Sequence, residues 1–124
     1  MKYRVINLED GDIAVQLEDK SIILADENSA LDFLMTIAYE TGSNKVIINK
    51  ENLTEDFFRL KTKVAGNILQ KVVNYKMKLA IVGDYSKYSS ESLKDFIYEC
   101  NNGNDIFFVE DESQALILIS SSKR

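Results

Sequence analysis

Short apolar runs set among stretches of helical period constrain this chain more than any other feature. The runs are Val46-Ile47-Ile48, Leu79-Ala80-Ile81-Val82-Gly83 and Ile106-Phe107-Phe108-Val109. Each is too short for a helix and apolar at successive positions, the pattern of a strand buried on both faces of a parallel sheet. Parallel strands cannot be joined by tight turns, so a helix must cross over between each pair.

The intervening sequence supplies those helices. Asp26-Glu27-Asn28-Ser29 offers capping groups and negative charge for a first helix. Leu31, Leu34, Met35 and Ala38 make its apolar stripe, widened by Phe33 and Ile37, and Gly42 ends it. Asn52 and Thr54 predict caps for a second helical region carrying Phe57, Leu60, Val64, Ala65, Ile68 and Val72. Gly66 interrupts that region, either as a break or to admit a close neighbour. Ser89 or Ser90 opens a third helix over Leu93, Phe96 and Ile97, closed by Asn102-Gly103-Asn104. Asp111 to Gln114 fits an acidic capping box and opens a last helix with Ala115, Leu116 and Ile119. The tail Ser120-Ser121-Ser122-Lys123-Arg124 is expected to fray.

The start of the chain has a different period. Tyr3 and Val5, then Ile13, Val15 and Leu17, share one face at alternate positions, and Glu9-Asp10-Gly11-Asp12 lies between. Asp-Gly is a hairpin turn signal, because both residues tolerate positive φ. Ser21-Ile22-Ile23-Leu24 reads as a third short strand or a buried turn. The fold class is therefore α/β: an N-terminal antiparallel hairpin, then βαβαβα units on a short, mostly parallel sheet. No proline, linker or repeat divides residues 1–124, so one domain is expected.

Composition removes several functions. The chain has no histidine, which excludes imidazole bases, serine–histidine triads and nearly every transition-metal site. No metal and no cofactor is expected. A net charge of −5 opposes phosphate backbones, so nucleic acid is not expected as a partner. No apolar run is long enough to span a bilayer, and Met1-Lys2-Tyr3-Arg4-Val5 leads straight into a strand, so a cytoplasmic protein without membrane association is expected. Cys100 stands alone and cannot close an internal disulfide; it reads as an inert thiol. The sequon Asn52-Leu53-Thr54 is then a coincidence.

Ligands of parallel sheets bind beyond the carboxyl ends of the strands. That rim holds Asn49 and Lys50, then Gly83-Asp84-Tyr85-Ser86, then Glu110 and Asp111. Gly83 and Asp84 offer backbone access beside a carboxylate, although turn chemistry alone accounts for the same residue types. Lys61, Thr62 and Lys63 near Gly66 would suit an anion if a helix began there; a solvated helix face is the plainer account. Ser86, Ser89, Ser90 and Ser92 cluster by Lys87, but no base is positioned by sequence and capping explains them, so no catalytic residue is assigned. Tyr75, Tyr85, Tyr88 and Tyr98, with Phe57 and Phe58, either fill the core or leave an aromatic face for a partner. The candidate ligand-binding set is Asn49, Lys61, Thr62, Gly83, Asp84 and Ser86.

The stretch from Glu55 to Lys71, with Leu79-Ala80-Ile81-Val82-Gly83-Asp84-Tyr85-Ser86 and Ser92-Leu93-Lys94-Asp95-Phe96-Ile97-Tyr98-Glu99, resembles a small bacterial family, the domain of unknown function 4180. That resemblance implies no particular activity. The order of elements, and the ending of a Phe-Phe-Val strand followed by Asp-Glu-Ser-Gln-Ala-Leu, also resembles the STAS-like fold of anti-sigma-factor antagonists. Those antagonists carry a phosphorylatable Asp-Ser-Ser/Thr-Gly turn, where this chain reads Asn49-Lys50-Glu51-Asn52-Leu53-Thr54. A non-catalytic binding or regulatory domain is expected, forming a homodimer or meeting a protein partner. The alternative is a small enzyme, or a binder of a small anion or phosphometabolite, that uses Lys61, Thr62, Asp84 and Ser86.

Overall fold

A computed structural model describes residues 1–121 of the chain. Strands β1 (Tyr3–Asn7) and β2 (Ile13–Leu17) form the antiparallel hairpin, in a register that pairs Val5 with Val15. Helix α1 (Glu27–Thr41) crosses to β3 (Lys45–Asn49), α2 (Val64–Asn74) to β4 (Lys78–Val82), and α3 (Glu91–Asn101) to β5 (Ile106–Val109). The sheet order is β1-β2-β3-β4-β5, with every pair after the first parallel. Sequential order with crossovers of one hand puts α1, α2 and α3 on the same face. Helix α4 (Glu112–Ser121) then covers the other face.

Alternation along the strands builds two cores. Val15, Leu17, Val46, Ile48, Leu79, Ile81 and Phe108 point to the crossover helices, with Phe33, Leu34, Ile37, Ile68, Val72 and Leu93 packed on them. Ile47, Ala80, Phe107 and Val109 point the opposite way and are closed by Ala115 and Ile119 of α4. Apolar residues at both parities of β3, β4 and β5 are thus the direct record of a sheet covered on both sides.

Local structure departs from the sequence reading in particular places. The α1 stripe is Ala30, Phe33, Leu34 and Ile37; Met35 stands at the surface, because the helix is rotated by about one residue from the expected stripe. Asp26 and Ser29 form its capping box, and Gly42, at φ 80°, closes it in the left-handed conformation glycine tolerates. Asn52 and Thr54 do not open a long helix. Residues 50–62 form short 3₁₀ turns, Lys50–Asn52, Glu55–Phe58 and Leu60–Thr62, and α2 begins only at Val64. The break falls at Lys63, at φ 67°, and Gly66 lies inside α2 with open space where a Cβ would be. Ser21–Leu24 is no strand: Leu24 makes a single parallel bridge to Leu53, and Ile22 is exposed. Ser90 caps α3 through its bond from Leu93 N–H, 3.2 Å. Ser120 and Ser121 form the end of α4; the remainder of the expected tail, 122–124, lies outside the described residues.

Candidate functional site

Strands β3 and β4 lie in parallel register and end together, Asn49 opposite Val82. The chain leaves β3 into Lys50 and leaves β4 into Gly83, so these residues meet at the rim. A Cβ on Gly83 would lie 2.5 Å from Lys50 Cβ and 3.0 Å from its Cδ. Gly83 is therefore a seat for the lysine stem, and the backbone access expected there is already filled by Lys50.

The stem carries its ammonium into an aromatic recess. Lys50 Nζ lies 5.2 Å from the Phe58 ring centre and 5.0 Å from that of Tyr88. The two rings stack at 5.0 Å and 19°. Only 15 % of the Lys50 side chain is exposed, so its cation–π attraction is less screened than that of a surface lysine. Glu55, from the second 3₁₀ turn, completes the arrangement. Its Oε1 is 3.5 Å from Lys50 Nζ and 3.3 Å from Lys87 Nζ, and it accepts the Tyr88 hydroxyl at 2.9 Å.

Burial alone would raise the Glu55 pKa; the Tyr88 and Lys87 hydrogen bonds and the Lys50 charge outweigh it and hold the carboxyl below its ordinary value. Tyr88 moves the other way, pushed up to about 12 by burial and by its bond to Glu55. Tyr85, donating to Ile81 C=O at 2.7 Å, is raised further by burial. The rim thus gathers the Glu55 carboxylate, two ammonium groups and phenols that stay protonated at neutral pH.

The sequence-predicted residues divide around it. Asn49, Gly83, Asp84 and Ser86 are brought to this rim. Asn49 donates to Leu17 C=O at 3.3 Å, and its own N–H goes to the buried Asn52 side chain at 2.8 Å. Asp84 accepts Ser86 N–H at 2.9 Å, closing the turn after β4; its bonds from Ser86, then the charge of Lys50, hold its carboxyl low. Turn chemistry thus accounts for Asp84 and Ser86. Lys61 and Thr62 belong to a separate stretch: the Thr62 hydroxyl is 2.7 Å from Asp56 C=O and 2.8 Å from Arg59 C=O and accepts Val64 N–H, while Lys61 is exposed. Among the described residues, no hydrogen bond or ion pair joins either of them to Asp84 or Ser86.

Glu55, and the role of Lys50, were not legible as site features. Glu55 sits where sequence reading placed a helix, on a face with no assigned neighbour. Lys87 is engaged with Glu55 and not with a serine hydroxyl. Asn52, the sequon residue, is fully buried, donating to Asp19 C=O at 2.7 Å and Ser21 C=O at 2.8 Å. Burial pushes the Cys100 thiol up to about 11, against thiolate chemistry. Tyr75 and Tyr98 are exposed, while Phe57, Phe58, Tyr85 and Tyr88 form an aromatic cluster against Phe108. Among the described residues no His, Cys, Asp or Glu group has the arrangement of a metal site, and no helix is long and apolar enough to cross a membrane.

A hairpin-edged, mostly parallel sheet between helical layers, with a lysine clamped at the strand-end rim, defines the class: a small α/β domain with a charged, aromatic rim. The chain belongs to the family described as Domain of unknown function (DUF4180), whose profile matches residues 9–118. No curated protein and no solved structure matches the chain, so the comparisons do not bear out the STAS-like resemblance.

Proposed function

We propose that this chain is a non-catalytic binding domain, regulatory in role, which takes one acidic group at the rim around Lys50. The observation that carries the reading is the treatment of Glu55. A carboxylate is held there by two ammonium groups and a phenol, the donor set that would receive a carboxylate or phosphate from outside. Glu55 is half exposed, so an acidic group that displaced it from solvent would take over Lys50, Lys87 and Tyr88. Asp84 and Glu51 flank the rim and repel polyanions, so a single acidic group suits the site and a nucleic-acid backbone does not. The STAS-like order of elements supports the same class of role.

The test is a thermal-shift panel of small carboxylates, phosphorylated metabolites, nucleotides and fatty acids. A ligand of the native state raises the melting temperature by mass action. The reading expects at least one monoanionic compound to do so, with the shift lost in Lys50→Met and enlarged in Glu55→Gln. A panel without any shift, or a shift indifferent to Lys50→Met, rejects it.

A further inference from the structure

The two outer strands of the sheet are finished differently. On β5, the Asn101 carboxamide accepts Phe108 N–H at 2.7 Å and donates to Phe108 C=O at 3.2 Å, doing the work of a neighbouring strand. The next outward amide, Glu110 N–H, is taken by Gln114 at 3.1 Å. That edge is stoppered by side chains of α3 and α4.

The β1 edge is open. Leu8 N–H bonds Asp12 C=O at 2.9 Å and Glu18 N–H bonds Lys2 C=O at 2.8 Å, which fixes the parity of the hairpin. Even-numbered residues of β1 bond inward to β2, and Tyr3, Val5 and Asn7 direct N–H and C=O outward. No bond to these outward groups occurs among the described residues. Between Tyr3 and Asn7 the strand has no proline and no bulge, its one charge, Arg4, is tied to Gln16 and Glu112 on the α4 face, and the Val5 side chain is exposed.

We propose that β1 is the dimer interface, pairing antiparallel with β1 of a second copy about a two-fold axis at Val5. Tyr3 then faces Asn7 of the other copy and Val5 faces Val5, so every outward backbone group is bonded. On the α4 face Arg4 stands opposite Ile6, and Lys2 opposite Leu8. A shift of the axis to residue 4 would set Arg4 against Arg4 and lose pairing. The chosen register also matches charge. Lys2 reaches the other copy's hairpin end, where a groove of about 530 Å³ has Ile6, Leu8 and Ile117 in its walls and Glu9 and Asp10 at its rim. The lysine stem fits the apolar wall and its ammonium meets the carboxylates. Because β5 is capped at Phe108 and Glu110, β1 pairs with its own kind, and the assembly stops at two copies instead of growing into a fibre.

Sedimentation equilibrium of the full chain tests this directly. The expected species has twice the 14.1 kDa chain mass. Val5→Pro removes an outward N–H that has no intrachain partner, so the variant keeps its native circular dichroism and sediments as a monomer. Lys2→Glu changes an exposed side chain without threatening the fold; it weakens the dimer about tenfold by replacing attraction with repulsion at both symmetry-related ends. Lys2→Glu with Asp10→Lys recovers the loss. A wild-type monomer at about 100 µM, where a standard-sized interface is saturated, overturns the proposal. So does a dimer whose dissociation constant is unmoved by Lys2→Glu.

Discussion

At the scale of single residues, one glycine decides whether the rim exists. Gly83 needs no unusual φ; it needs the absence of a side chain, because Lys50 occupies the space. Gly83→Ala forces Cβ against the fixed base of Lys50, and neither backbone can retreat without disturbing the β3–β4 register. We expect a loss of about 1–3 kcal/mol in urea unfolding, as for overpacking elsewhere. The variant should also lose any ligand-induced thermal shift. Glu55 tests the electrostatics. Its folded pKa is depressed, so its contribution is present above the ordinary carboxylate value of about 4.3 and is lost as pH falls through the folded value. Glu55→Gln should therefore be less stable than wild type at pH 7 by under about 1 kcal/mol, given half exposure of the carboxylate. The difference should close in melts taken progressively below pH 4.3. A gap that persists at pH 3 would mean that packing, not charge, holds Glu55 in place.

At the scale of elements, what was legible in the sequence follows what is local. Caps at Asp26 and Ser90, the Gly42 stop and the Asp10-Gly11 turn depend on neighbours a few residues away, and periodicity located every strand. The stretch after the Asn52 and Thr54 caps, residues 55–62, has the spacing of a helix in Phe57 and Leu60 but folds as short 3₁₀ turns. Their burial comes instead from tertiary neighbours: Phe57 and Phe58 pack on Phe108, Tyr85 and Tyr88. The rim was legible as a location, from strand ends, but not as a constellation, since Lys50, Glu55 and Tyr88 meet only through that tertiary packing. The start of α2 offers a measurement of the misread boundary. Lys63 holds φ 67°, a conformation that strains an L side chain by about 1–2 kcal/mol, while its carbonyl still accepts Asn67 N–H at 3.0 Å. Lys63→Gly relieves the strain and gives back part of it as unfolded-chain entropy. A net gain of up to about 1 kcal/mol in chemical denaturation is expected, whereas glycine in a continuous helix would lose about that amount.

At the scale of the whole molecule, the sheet is a sandwich filling whose two faces are closed by unequal means. Three crossover helices cover one face as a consequence of topology. Among the described residues the other face is covered by α4, lying over Ile47, Ala80, Phe107 and Val109. Helix α4 is apolar from Ala115 through Ile119, so composition does not say which of its side chains seals the core. Packing does: Ile119 is fully buried, and Ile117, two positions earlier, is 66 % exposed. Ile119→Ala removes buried methylenes and leaves a cavity beneath the helix, and should cost about 2–5 kcal/mol in urea unfolding. Ile117→Ala should shift the same midpoint by less than about 0.5 kcal/mol, as surface substitutions do. If both variants lost stability equally, α4 would have to be rotated on the sheet. Equal tolerance would mean that the second face is closed by something other than α4, and a stable three-layer molecule would not follow from this chain alone.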